Sequence, residues 1–166
     1  MKYVVHNVKP DVDYGRFPVT KIQNIDIDGV ATISEQLSKV GIEDFLLWNT
    51  FFLTDKVFLM LDKNKISDEK HINKLVFRIG DYTNFFVFTD FPHAQKFSKE
   101  LKIVNEQGYF QLVELTMKEF LSIIYDNRKR IDEITFNATS LGSWTVSLEA
   151  VLDNKNKFDK TQKIWK

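Results

Sequence analysis

Between Phe86 and Phe97, in the twelve residues FVFTDFPHAQKF, the chain changes its pattern midway. The first half reads as a strand and the second as a helix, with Thr89, Asp90 and His93 at the switch. A strand must therefore turn into a helix within a residue or two. From Phe91 the apolar residues fall at Phe91, Ala94, Phe97, Leu101 and Val104, one stripe of a helix packing onto the sheet. Thr89 or Asp90 has the chemistry of a helix N-cap, and Pro92 is tolerated only in the first turn, where a missing N–H costs nothing. His93 then lies near the positive end of the helix dipole, a poor place for an imidazolium. It is expected to present a neutral ring at the C-terminal edge of the strand.

The rest of the chain supplies partners for this corner. Tyr3–Val8 and Val19–Ile27 read as extended segments around a loop with Pro10, Gly15 and Pro18. A short helix follows over TISEQLSKVG, with Thr32 and Glu35 at capping-box spacing and Gly41 placed to end it. IEDFLLW adds a helical turn or two. Phe51–Leu53 and Val57–Leu61 flank the polar turn TDK as a hairpin or a kinked strand, and Lys74–Ile79 and Phe85–Thr89 flank GDYTN as a second hairpin. Gly108 breaks the long helix, and FQLVEL returns as a strand.

The next boundary is explicit. Thr116 and Glu119 form a capping box, and Leu115 and Phe120 take the two positions of a hydrophobic staple. EITFNA is a strand, Ser147 caps a last short helix LEAVL, and the tail 153–166 is polar and expected to fray apart from Ile164 and Trp165. NRKR, Asn127–Arg130, reads as the solvated end of a helix. The order of elements predicts a single α+β domain over residues 1–152, a mixed, mainly antiparallel sheet with helices packed on one face.

Composition bounds the function. A chain of 166 residues forms one domain with a real core, and its 15 Phe supply large buried areas. Lys plus Arg and Asp plus Glu number 23 each, so no field draws in nucleic acid or an anionic membrane. No cysteine is present, which removes disulfides, thiol catalysis and thiolate metal sites and suits a reducing cytoplasm. The N-terminus lacks the roughly 7–15-residue apolar segment of a signal peptide, and no stretch approaches the ~20 apolar residues of a membrane span.

Chemical motifs are few. NIDIDGVAT places Asp26, Asp28 and Gly29 like the nucleophile loop of haloacid-dehalogenase-type phosphotransferases, with one aspartate attacking phosphorus and the other acting as acid/base. GDYTN, with Gly80, Asp81 and Asn84, mimics the acidic magnesium loop of that class. The two segments are too close for parallel βα units of about 30 residues each. KIQN is also not the apolar run of a central parallel strand. An edge strand ending in an Asp-Gly turn fits the same letters. His6, His71 and His93 belong to no metal-binding pattern, DVDYG lacks the later ligands of a calcium loop, and no G-x-S-x-G elbow or phosphate-cradling glycine loop occurs. No cofactor is expected.

FVFTDFPHAQKF, together with FRIGDYTNFFVFTD, QLVELTMKEFLSIIYDN and ITFNATSLGSWTVSLEAVL, resembles in order the N-terminal domain of the SseB type, a bacterial family named for enhanced serine sensitivity. FFLTDKVFLMLD would be the preceding strand, so the resemblance spans roughly residues 45–152 and leaves residues 1–41 unmatched. The family's Asn-Pro is Asn137-Ala138 here, which removes the fixed φ a proline would give that turn. The family has no established catalytic set. The resemblance implies a small bacterial α+β module used for interaction or regulation, with another protein as its partner. Phe91, His93, Asn137 and Trp144 are the candidate contact residues, Trp144 having a core-anchor reading as well. A narrower expectation is an immunity protein neutralising a toxin. The alternative from another class is a Mg²⁺-dependent phosphotransferase or hydrolase using Asp26 and Asp28.

Overall fold

The computed structural model describes residues 2–14, 27–38 and 45–164. Seven strands and five helices make one α+β domain: β1 (Val4–Val8), α1 (Ile27–Ser38), α2 (Phe45–Phe52), β2 (Lys56–Met60), β3 (Phe77–Ile79), β4 (Tyr82–Phe88), α3 (Phe91–Leu101), β5 (Phe110–Thr116), α4 (Met117–Asn127), β6 (Glu133–Phe136), β7 (Trp144–Ser147) and α5 (Leu148–Ile164). The sheet runs β1-β5-β2-β4-β6-β7, with β3 paired to β4. Among the described strands, β4 and β6 run parallel and the remaining pairs are antiparallel. The N-terminal segment thus contributes β1 to the same sheet, as an edge strand on β5.

The central strands are apolar on both faces, which is why they read as unbroken runs. In β2 and the residue after it, Val57, Leu59 and Leu61 enter one core while Phe58 and Met60 enter the other. In β4, Phe85 and Val87 alternate with Phe86 and Phe88 in the same way. Helices α2, α4 and α5 cover the first face through Trp48, Phe51, Phe120, Ile124, Val151 and Phe158. Helix α3 covers the second through Phe91, Ala94 and Phe97. The helices are therefore divided between the two faces rather than confined to one, because a strand apolar on both sides needs a lid on both.

Several local expectations meet a different outcome. Residues 51 and 52 end helix α2 instead of starting a hairpin, and their rings face the core beside Trp48. Helix α1 begins at Ile27, more than one turn before the expected cap; Thr32 lies inside it and its hydroxyl donates back to the Asp28 carbonyl at 2.8 Å. Asp28 and Gly29 consequently open a helix, not an Asp-Gly turn. Residues 19–26 of the expected second strand, together with Gly15, Pro18 and Gly41, lie outside the described residues. Helix α3 ends at Leu101, with Lys102 left-handed (φ 55°), well before Gly108. Leu101, expected in the buried stripe, is 46% exposed.

The tail does not fray at residue 153 but continues as helix α5 to Ile164, burying Phe158, while Trp165 lies outside the described residues. Ser147 caps this helix by accepting the Ala150 N–H at 3.1 Å. The capping box is formed on both sides, Glu119 N–H to the Thr116 hydroxyl at 3.2 Å and Thr116 N–H to the Glu119 carboxylate at 3.0 Å. At the end of α4 the Arg128 guanidinium stacks on the Tyr125 ring and donates to its carbonyl, as a cation at a helix C-terminus should. No described helix is long and apolar enough to cross a membrane.

Candidate functional site

The strand-to-helix corner holds a cluster of buried polar residues, Thr89, Asp90 and Asn137, beside the aromatic core. Asp90 is the N-cap of α3: its backbone is extended and its carboxylate accepts the His93 N–H at 3.0 Å. Pro92 sits in the first turn, where no N–H is needed. Capping explains why these residues follow the strand, but it does not use the whole of Asp90. The same carboxylate oxygen lies 2.6 Å from His93 Nδ1.

The other ring nitrogen reaches across the fold. His93 Nε2 lies 2.7 Å from Oδ2 of Asp28, in the first turn of α1. The second oxygen of Asp28 accepts the Ser140 hydroxyl at 3.0 Å. One imidazole is thus clamped between two carboxylates, and a loop hydroxyl completes the outer one. Burial is the largest single influence on the ring and favours its neutral form, yet Asp90 and Asp28 together outweigh it and raise the His93 pKa above the ordinary 6.5. Two carboxylates in contact thus favour the protonated ring, against the expected neutral one.

The loop after β6 is held to this corner from both ends. Asn137 is fully buried and left-handed (φ 50°), a conformation asparagine tolerates better than most residues. Its Oδ1 accepts the Thr89 N–H at 3.0 Å, and its Nδ2 donates to the Thr89 hydroxyl at 3.1 Å. Its own N–H donates to the Val87 carbonyl at 2.8 Å. The Val87 bond continues the β4–β6 ladder by one residue, so the amide side chain takes over where the strand pairing stops. These contacts supply the fixity that a proline after Asn137 would have given.

Further along, Gly142 backs directly onto the start of α1. A Cβ at that position would lie 2.7 Å from the Asp28 carbonyl oxygen and closer still to its Cα. Gly142→Ala is expected to cost about 1–3 kcal/mol, because neither clashing atom is a flexible side-chain end. A urea midpoint within experimental error of the parent would show that this contact is slack.

Of the expected contact residues, the structure gathers Phe91, His93 and Asn137 around the corner, and sets Trp144 at the far end of the same loop. Phe91 and Asn137 are buried, so neither is a surface contact; Phe91 packs edge-on to Phe58 and His6. Trp144 is half-buried and stacks on Phe136 at 4.7 Å, which makes it an anchor of the loop. Asp26 lies outside the described residues. Asp28 stands at the start of a helix with both oxygens engaged by His93 and Ser140, not at the end of a strand as the phosphotransferase reading required. Asp81 is exposed in the β3–β4 turn, and Asn84 is buried against Thr135.

Ser140 and Gly142 were not singled out individually by sequence reasoning. Their only signal is membership of the polar loop after Asn137. Beside that loop, Ala31, Glu35, Leu47, Trp144 and Val146 help to line an open cleft of about 260 Å³ between α1, α2 and β7. Leu141, at the loop tip, also lines it and is 93% exposed. No protein-family model, curated protein or solved structure matches the chain.

Proposed function

We propose that this protein is a non-enzymatic protein-binding module whose contact face is the loop 137–143 and the cleft beside it. The observation that carries the reading is Leu141, a large apolar side chain almost wholly in solvent on a loop anchored by Asn137, Ser140 and Gly142. A loop already ordered before binding loses little further freedom on contact, so its apolar tip converts burial into affinity efficiently. Among the described residues that line the cleft, Glu35 is the one that carries a charge. The partner that fits is a protein presenting an apolar side chain next to a lysine or arginine.

The corner chemistry agrees with a binding role. Both nitrogens of His93 and both oxygens of Asp28 are engaged by other groups of the chain, an arrangement suited to holding a surface in place. The resemblance to the SseB-type domain over residues 45–152 supports the same class, since that family has no established catalytic set.

The test compares capture from a lysate of the source organism by the parent protein and by Leu141→Asp. The substitution is on an exposed side chain and should change stability by no more than about 0.5 kcal/mol. A stoichiometric partner held by the parent, lost with Leu141→Asp and weakened by Glu35→Gln, is the expected result. A toxin domain as that partner would select the narrower immunity reading. Identical capture by parent and variant, or no capture by either, would overturn the assignment.

A further inference from the structure

We infer that Asp90, His93 and Asp28 form a proton-operated latch, which fastens helix α1 to the β4–α3 corner and releases it when the His93 ring becomes neutral. The ring nitrogens lie 2.6 Å and 2.7 Å from two different carboxylates. Carboxylates only accept, so both contacts need an N–H, and only the imidazolium carries two. Loss of one proton leaves a nitrogen lone pair facing a carboxylate oxygen at hydrogen-bond distance. One of the two contacts must then open.

The surroundings decide which one. The Asp90 side chain is 3% exposed and also accepts the His93 backbone N–H as the cap of α3. Moving it would uncap the helix and leave a buried carboxylate short of donors. The Asp28 side chain is 32% exposed, so water can replace the ring there. The opening therefore falls between α3 and α1. Ser140 alone does not hold Asp28 in place, because its hydroxyl has a second acceptor, the Asn137 carbonyl at 2.8 Å.

Among the described residues, the charged groups that act on His93 are Asp90 from its own corner and Asp28 from α1. Burial lowers its pKa and the two carboxylates raise it by more, so the folded value stands above 6.5. For a group raised on folding, the stabilisation is complete below the unfolded value and disappears as pH climbs through the folded one. The latch is thus closed in mild acid and opens on the alkaline side of 6.5. Because α1 contributes Ala31 and Glu35 to the cleft, the latch also positions one wall of the proposed binding face. The latch itself does not depend on that reading, and its test needs no partner.

The absence of cysteine allows two labels to be placed cleanly. Ile33→Cys on α1 and Leu101→Cys on α3, 51% and 46% exposed, take nitroxide spin labels for distance measurement at pH 5.5 and 8.5. The expected result is a narrow distribution at the lower pH and a broader, longer one at the higher. His6 and His71 are also present, so the same labels are placed on Asp28→Asn. An asparagine there accepts from an imidazolium through its oxygen or donates to a neutral ring through its nitrogen, and the expected distribution is the same at both pH values. A labelled parent with the same distribution at both pH values would overturn the latch. So would an Asp28→Asn variant that follows the parent's pH response, since another group would then control the movement.

Discussion

Replacing Phe51 by alanine is expected to cost about 3–5 kcal/mol, the range for a large aromatic side chain removed from a packed core. Phe51 is completely buried on the inner face of α2. Its ring meets Phe136 of β6 at 4.8 Å, Phe52 at 5.4 Å, Phe120 of α4 at 5.7 Å, Trp48 at 6.1 Å and Trp144 of β7 at 6.3 Å. These neighbours come from four elements and are themselves rigid rings, so they cannot collapse into the space as a cluster of methionines would. For a chain of this size the loss corresponds to a fall in melting temperature of roughly 10 °C. Urea unfolding followed by tryptophan fluorescence reads the change directly, because Trp48 and Trp144 border the cavity. A loss below about 1 kcal/mol would mean that the aromatic cluster repacks freely, contrary to its fixed edge-to-face geometry.

Asn137→Ala should be the next most damaging change, at about 2–4 kcal/mol. Two effects combine. The buried Thr89 N–H loses its acceptor, and alanine is forced into a left-handed backbone at φ 50°. Asn137→Gly separates them, since glycine adopts the same backbone without strain but restores no hydrogen bond. We expect the glycine variant to be the more stable of the two by about 1 kcal/mol, although it has the smaller side chain. Chemical denaturation of both proteins checks the order. If alanine proved the more stable, the left-handed turn would not persist in that variant.

The parts of the fold that were legible are those in which one local rule acts alone. The Thr116–Glu119 box and the Leu115–Phe120 staple mark the start of α4 because cap chemistry is read within a few neighbouring residues. Helix α3 was legible from Asp90, Pro92 and the buried positions 91, 94 and 97. Helix α5 was legible at its start, from Ser147 and LEAVL, but not past residue 152, because only Phe158 carries an apolar ring in its second half. Lys155 adds to its buried face by setting its ammonium over the Phe158 and Phe52 rings, and a lysine reads as polar in sequence. Strand β7 escaped notice because its residues alternate between half-buried and exposed at a sheet edge, a weak pattern in a four-residue segment.

The site was legible only in fragments. Asp28 and His93 each drew attention for a separate reason, one as a candidate catalytic carboxylate and the other as a ring at a strand end. Nothing local connects residues 65 positions apart in the chain. Their meeting depends on how α1 lies against the β4–α3 corner, and no periodicity encodes that placement.

The position of β1 has a consequence for how the chain is made. Val4–Val8 forms an edge of the sheet by pairing with Phe110–Glu114, far along the polypeptide. During synthesis at ~5–20 residues per second, the first strand waits on the order of ten seconds for its partner to emerge. The final pairing closes a long loop and belongs among the slow, non-local steps of folding. Until then the outer edge of β5 is open to a neighbouring nascent chain, and early capture of β1 is what would protect this protein from joining its copies edge to edge.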